Sequence, residues 1–379
     1  MNFPAPYREL FPHTQTQIYL NHAAISPFST RVVETLNEYI AQRHLTEIEN
    51  YFSFQPKLQE ARERLARLLH THADRIAFSQ NTSGGFNILA ASFPWQPGDR
   101  ILLNRLEFPA NVYPFENLRH LGVEIDYVTP RGHYLALEDF AAAMTPRTRL
   151  LSVSQVQFLS GQRINLEGLS ELCHAHGTWL SVDSIQALGA TDLNVETLGI
   201  DFVSCGGHKW LMGPAGAGFL YISKRLQAEL KPVFAGWLSV ENEWDLLDYE
   251  LKFRGDACRF ETGTLNFLGI AGLHAALGLF EEIGMHTIET HILFLTAWLR
   301  DACEDLGLKV ITPAHSSERL GILTLDLPPA QATHLYEILT QNKVECSLRE
   351  ERYLRFSPHF YNTQTELERV LEILKAALE

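Results

Sequence analysis

The sequence predicts an α/β protein, with a large domain on a mostly parallel sheet covered by helices on both faces and a smaller α+β domain at the C-terminus. Three observations carry this. Between about residue 75 and residue 222, short apolar runs alternate with helical periodicities, a pattern that calls for parallel strands joined by crossover helices. Several of these runs empty into polar or glycine-rich turns, such as Val182-Asp183-Ser184 and Gly206-Gly207-His208-Lys209. Finally, 379 residues are enough for a large core and a second domain, and after two long helices the pattern changes to a few short strands. The boundaries read as an N-terminal arm over 1–20 that joins the small domain, a large domain over 21–284 and a small domain over 285–379.

Composition narrows the class. Hydrophobic content of 46% and charged content of 20% describe an ordinary globular chain. The formal net charge of −14, with no basic stripe to offset it, argues against nucleic acid or an anionic membrane as partner. The N-terminus has no apolar core of the secretory type, so no leader is expected. Leu268 to Phe280 is apolar but short, contains His274 and ends in Glu281-Glu282, which predicts a buried helix. Five cysteines without Cys-x-x-Cys spacing suggest a reducing cytoplasm and no disulfide framework. Cys173-His174-Ala175-His176 does not predict a metal site, because residues two apart on a helix do not face together.

In chain order, Ile18 to Ala24 reads as a short strand breaking into a loop of small residues around His22. Ser29 caps a helix to about His44, and a second helix covers roughly Gln55 to His70. Arg75 to Ser79 is a strand, and Asn81-Thr82-Ser83-Gly84-Gly85 then opens a helix. Free backbone N–H groups and the helix dipole make that turn either an anion site or an ordinary N-cap. It is neither the dinucleotide fingerprint nor a P-loop. Strands follow at Ile101 to Leu106, Glu124 to Thr129, Leu150 to Val156, Thr178 to Asp183, Asp201 to Cys205 and Phe219 to Ile222. Helices are expected at Asn111 to Leu121, Leu135 to Met144 and Leu166 to His176. Beyond two long helices, to Gly284 and from His286 to Leu306, strands are expected near Leu308 to Ile311, Gly321 to Leu327 and Val344 to Phe356. The last helices fall near Thr333 to Gln341 and Gln364 to Leu378.

Ligands of open α/β sheets bind at the carboxyl ends of the strands. Thr82, Ser83, Phe108, Gln157, Asp183, Gln186, His208 and Lys209 all fall at or just past predicted strand ends. Lys209 alone could be a surface lysine beside a turn. With Asp183 at the end of another buried strand, 209 − 183 = 26 residues earlier, it becomes half of a pair that pyridoxal phosphate chemistry requires: a carboxylate for the ring nitrogen and a desolvated amine for the aldehyde.

Val182-Asp183-x-x-Gln186, Gly207-His208-Lys209-Trp210-x-x-Gly213-Pro214-x-Gly216 and Phe260-Glu261-x-Gly263-Thr264-x-Asn266 together resemble the class V aminotransferase group of fold-type I pyridoxal-phosphate enzymes. That group includes cysteine desulfurases, C–S lyases and isopenicillin N epimerases. The resemblance runs from Tyr19 to Arg355. It implies fold type I, with a seven-stranded type of sheet in the large domain, pyridoxal 5'-phosphate as cofactor, an amino-acid substrate and a homodimer. Lys209 would carry the cofactor and shuttle the Cα proton, Asp183 would pair with the ring nitrogen, and Gln186 would donate toward the ring's phenolic oxygen. Thr82, Ser83 and His208 would hold the phosphate, joined by Thr264 from across a dimer interface, and Phe108 would stack on the ring. Arg355 would grip the substrate carboxylate, with His22, Asn266 and Trp237 also placed near substrate. Phe108 stands where desulfurases carry histidine, Phe158 stands where they carry asparagine, with Gln157 beside it, and Gly206 replaces a serine. Cys346 lies in a strand-like run with no mobile loop, against a persulfide mechanism. Transamination is the first expectation, C–S bond cleavage the second and epimerisation the third; a non-catalytic cofactor-binding module is a remote fourth.

Overall fold

Residues 3–379 are described by a computed structural model, and its central strands fall where the chain is buried on both faces. In chain order they are β1 (Ile18–Tyr19), β2 (Ile76–Ser79), β3 (Arg100–Asn104), β4 (Glu124–Val128), β5 (Thr148–Ser154), β6 (Trp179–Asp183), β7 (Phe202–Gly206), β8 (Gly218–Ile222), β9 (Leu323–Asp326), β10 (Val344–Glu345), β11 (Ser347–Arg349) and β12 (Tyr353–Phe356). Every residue of β7 and β8 is buried. Such strands read as unbroken apolar runs because helices cover both faces.

The main sheet has seven strands in the order β2-β8-β7-β6-β5-β3-β4. Only β8 runs against its neighbours; the other six point one way, so their carboxyl ends share one edge of the sheet. Apolar clusters pack on its two faces, one around Phe86, Leu103 and Phe202, the other around Val153, Val182 and Trp210.

Side-chain caps start three of the helices, and the sequence predicts the one at Ser29. Ser29 accepts from Val32 N–H at 3.3 Å and starts Thr30–Leu45, and Asn81 accepts from Gly84 N–H at 2.8 Å and starts Thr82–Ser92. Asn266 does the same for Phe267–Ile283 through Gly269 N–H at 3.0 Å. Gly284, at φ +85°, ends that helix, and Met285–Asp305 leaves at a bend of 84°. Among the described residues no single helix is long and apolar enough to cross a membrane.

Three expectations need correction. The segment from Asn111 to Leu121 is not one helix: Pro109 and Pro114 lack the N–H a continuous helix needs, and the chain breaks into short turns at Pro109–Asn111, Tyr113–Glu116 and Asn117–Leu121. Leu308 to Ile311 contributes one bridge, Val310 to Leu325, and no strand. The run from Val344 to Phe356 splits into three strands, because Glu350 and Glu351 both take left-handed conformations (φ +51° and +52°) and fold β11 back onto β12.

β11, β12 and β9 form a three-stranded antiparallel sheet, and β1 pairs in parallel with β10. Leu20, Leu299, Leu323, Val344, Leu354 and Leu367 share one apolar cluster there. We propose the division into an arm (1–20), a large domain (21–284) and a small domain (285–379) on this grouping; Met1 and Asn2 of the arm lie outside the described residues. The division is not sealed, since Ile288, Ile292 and Ile322 pack into the large cluster.

One buried ion pair ties the segment before Thr262 to the sheet edge. Arg62 Nη1 donates to Glu261 Oε1 at 2.8 Å and to the Ile76 carbonyl at 2.8 Å, and Phe78 N–H donates to Glu261 Oε1 at 2.7 Å. Removing one member of such a pair strands the other charge. Arg62→Met should therefore lower unfolding free energy by about 3–5 kcal/mol, measured as a urea midpoint. Adding Glu261→Gln should recover part of that loss, and a double variant as unstable as the sum of the singles would contradict the account.

Candidate active site

The shared carboxyl edge of six strands collects the polar residues. β2 ends before Asn81-Thr82-Ser83, β3 leads into Glu107-Phe108, and β5 runs on to Gln157-Phe158. β6 ends in Asp183, and β7 is followed by His208 and Lys209. A cavity of about 350 Å³ opens there, lined by Thr82, Ser83, Phe108, Asp183, Gln186, His208, Lys209 and Arg355, with Phe158 and Arg349 beside them.

Close packing sets the position of the turn after β2. Ser204 in β7 donates its hydroxyl to the Thr82 carbonyl at 2.9 Å. A Cβ on Gly85 would lie 2.2 Å from that same Ser204 Oγ, so only glycine lets the helix start this close to the strand. The Thr82 hydroxyl is left buried with no partner.

Asp183 is 1% exposed. Its Oδ1 accepts from Ile185 N–H at 2.9 Å, while Oδ2 has no partner. Burial pushes its carboxyl up to about 7; the Ile185 N–H and Lys209 pull the other way, and Glu107 adds to the rise. Lys209 is buried too, and its ammonium is pushed down to about 8, with Asp183 opposing the loss of charge and Arg355 favouring it. Its Nζ lies 5.4 Å from the centre of the Phe108 ring. His208 is half-buried, and burial followed by the Lys209 charge pulls its imidazole below the ordinary range.

Arg355, on β12, is 2% exposed. Nη1 donates to the Phe158 carbonyl at 2.7 Å, and Nε and Nη2 have no partner. Burial, with Arg349 adding to it, pulls this guanidinium down from its usual range. A buried guanidinium with two orphaned donors and no carboxylate is costly unless something anionic completes it.

Other residues singled out by the sequence are placed elsewhere or already bonded. Gln157 does not line the cavity: its Nε2 donates to Glu107 Oε1 at 3.0 Å and its Oε1 is buried without a partner. Gln186 lines the cavity, but Nε2 donates to the Ala23 carbonyl at 3.0 Å and Oε1 accepts from Trp210 Nε1 at 2.9 Å, leaving one N–H for a ligand. His22 is fully buried and outside the lining. Nδ1 donates to the Ser357 carbonyl at 2.7 Å, which makes Nε2 the acceptor of the Tyr361 hydroxyl at 2.8 Å, so the ring joins the loop after β1 to the chain after β12. Its placement near substrate is not supported.

Thr264 and Asn266 line a different cavity, of about 690 Å³, with Gly84, Asn87 and Phe234. Asn266 is occupied there as a helix cap, with Nδ2 donating to the Gly216 carbonyl at 3.0 Å. Trp237 packs with Tyr51 and Trp244, at ring distances of 5.6 and 5.4 Å. Within one chain, none of these three lines the cavity that holds Lys209.

Two contributors escape a reading by motif. Glu107 accepts from Asn104 Nδ2 (2.5 Å), Asn111 Nδ2 (3.1 Å), Ser154 N–H (2.8 Å), Gln157 Nε2 (3.0 Å) and the Ser154 hydroxyl, fixing the turn that presents Phe108. Arg349 reaches the cavity only through the fold of the β11–β12 hairpin.

Comparison with known proteins identifies the family. The aminotransferase class-V family profile matches residues 18–370. A probable cysteine desulfurase of Methanothermobacter thermautotrophicus is 28% identical over 97% of this chain and 96% of its own length. The isopenicillin N epimerase of Amycolatopsis lactamdurans is 32% identical over 84% of this chain and 85% of its own. The apo structure of a cysteine desulfurase from Thermococcus onnurineus superimposes with a TM-score of 0.90 at 25% identity, covering 99% of this chain and 98% of that one.

The Asp183 carboxyl gives a signed prediction. Its folded-state value, about 7, is raised from 3.8. The folded state therefore holds the proton more tightly, and the cost of the buried carboxylate grows from pH 4 to pH 7 and is full above that. Without added ligand, Asp183→Asn should gain stability relative to the parent across that window. The gain should reach up to roughly 4 kcal/mol at about 1.36 kcal/mol per unit. Thermal melts at pH 4, 5.5 and 7 would show it; a difference that is flat or shrinks with pH would contradict the buried charge.

Proposed function

The chain belongs to the aminotransferase class-V family of pyridoxal-phosphate enzymes, and on that premise we propose that it processes an α-amino acid, with Lys209 as the residue that carries the cofactor and moves the Cα proton. The observation that supports this most is that Thr82 Oγ1, Asp183 Oδ2 and Arg355 Nε and Nη2 are all buried without partners and belong to residues lining one cavity with Lys209. A hydroxyl, a carboxylate and a guanidinium left incomplete together fit a ligand pair with a phosphate, a protonated ring nitrogen and a carboxylate.

In this reading Thr82, Ser83, His208 and the N–H groups opening the Thr82–Ser92 helix hold the phosphate. Asp183 takes the ring nitrogen, Lys209 the aldehyde, and Phe108 offers its apolar face to the ring. Pyridoxal phosphate, when bound, supplies the electron sink for the pair released as a Cα–H bond breaks. Lys209 Nζ, pushed down to about 8, is neutral often enough near pH 7–8 to accept that proton and return it. The Phe158 carbonyl fixes one end of the Arg355 fork, so the free Nε and Nη2 edge can take a carboxylate with two parallel bonds.

Transfer of the amino group is the fate we put first. Among sulfur-handling fates, direct C–S cleavage is favoured over a persulfide route. Cys346 is buried between β10 and β11, burial pushes its thiol up, and β11 turns straight back into β12 with no loop to carry it to the cavity.

We also infer a homodimer working in the cytoplasm. Val233, Phe234, Leu247, Tyr249 and Leu251 are all more than half exposed, an apolar surface that a second copy would cover. Thr264 shares its cavity with Gly84 and Asn87 of the helix that the phosphate turn opens, and not with Lys209, which supports a role for Thr264 toward a neighbouring chain. Five free cysteines suit a reducing compartment.

Borohydride reduction of the cofactor-loaded protein followed by peptide mapping should place the label on Lys209. Lys209→Ala should lose the label and at least about 10²-fold of turnover; a label on another lysine would remove the assignment. Cys346→Ser should keep most activity on a panel that includes cysteine and cystine, with keto acid, sulfide and racemised amino acid measured as products. Loss of sulfide release alone, together with a persulfide trapped on Cys346 in the parent, would restore the desulfurase route.

A further inference from the structure

The cavity holds a second arginine that none of the roles above uses. Arg349 lies on β11, Arg355 on β12, and both line the space around Lys209. The strands are antiparallel, with Ser347 opposite Arg355 and Arg349 opposite Tyr353. Opposed residues share a face of the sheet, and so do residues two apart along a strand. Arg349 and Arg355 are therefore diagonal neighbours on one face, a separation of roughly 7–8 Å between backbones.

Neither guanidinium has an acidic partner. The third arginine of the hairpin, Arg352, is paired with Asp326. Among the described residues no carboxylate lies within ion-pair distance of Arg349 or Arg355, and Arg349 makes no side-chain hydrogen bond. Two cations side by side, without an anion between them, destabilise the folded chain. They do so in a protein of net charge −14, where acids for surface pairing are plentiful. The two also differ in depth: Arg355 is sealed at 2% exposure, while Arg349 is exposed at the mouth. The cavity thus offers a guanidinium at each of two depths, one sealed and one at the opening.

We propose that this site selects an α-amino acid whose side chain ends in an anion, with Arg355 taking the α-carboxylate and Arg349 taking the distal group at the mouth of the cavity. This rests on the reading of Arg355 as the carboxylate-binding residue. The distal group is a carboxylate, sulfinate or similar oxyanion, which suits a guanidinium fork. A side chain of two or three carbons would let both ends be held at once.

The test is equilibrium binding of unreactive acids to the cofactor-loaded protein by calorimetry, with glutarate compared with butyrate. Glutarate should bind at least about tenfold tighter, the worth of one charge-assisted hydrogen bond. Arg349→Gln should bring the ratio of the two affinities close to one by weakening glutarate, and Arg349→Lys should restore part of it. Arg349 is exposed, so these variants should fold; melting temperatures would verify that. Equal binding of the two acids by the parent would overturn the proposal. So would an Arg349→Gln variant that weakens both equally, which would place both arginines on one carboxylate. Borohydride labelling of Lys209 in the same preparations reports separately on the cofactor assignment, so failure of one is not mistaken for failure of the other. In turnover, amino acids with acidic side chains should exceed neutral ones of the same length in kcat/KM, and the advantage should fall in Arg349→Gln.

Discussion

Everything at this site depends on holding a carboxylate and an amine out of water at the ends of two adjacent strands. The pairing of β6 with β7 sets Asp183 level with Ser204, and Ser204 in turn anchors the Thr82 carbonyl from the neighbouring turn. Three separate segments are registered by that arrangement. The sheet has to supply the order, because neither Asp183 nor Lys209 would choose its environment. Burial raises one and lowers the other until both titrate near neutrality, the range in which proton transfer at physiological pH is efficient. Folding stability is traded for poised groups, as at many sites where local preference and global structure disagree.

The same trade explains the unsatisfied atoms in the cavity. The cavity gathers a hydroxyl, a carboxylate oxygen and two guanidinium donors with no partners. One residue before Phe108, Glu107 is saturated with five donors. The two environments are chemically opposite and structurally joined, since the satisfied carboxylate fixes the turn on which Phe108 faces Lys209. A rigid scaffold beneath incomplete groups is the arrangement that lets a ligand find its contacts already oriented.

Much of this was legible in the sequence for a physical reason. Strands buried on both faces must be apolar throughout, so β5 to β8 stand out, and a charged residue ending such a strand stands out more. Asp183 is visible on that ground, and Lys209 through its pairing with Asp183. Arg355 and the phosphate turn needed the resemblance to known enzymes. What was hidden depends on contacts distant in sequence. Nothing near His22 announces that Ser357 and Tyr361, more than 300 residues later, consume both its ring nitrogens. Arg349 becomes a neighbour of Arg355 only because Glu350 and Glu351 turn the chain through left-handed conformations, which neither residue advertises. The broken helix at Pro114 is different: the proline was in plain sight, and periodicity outweighed it.

The five cysteines carry a consequence of another kind. All are free and buried, with Cys173 and Cys205 in the cluster against the main sheet and Cys303 and Cys346 in the cluster of the C-terminal sheet. A thiol sealed in this way reacts with an aqueous reagent only when its surroundings open. The protein thus contains its own chronometers. The pace at which each thiol is modified records how often its half of the molecule breathes, and the interval between the two groups measures how far the halves come apart independently.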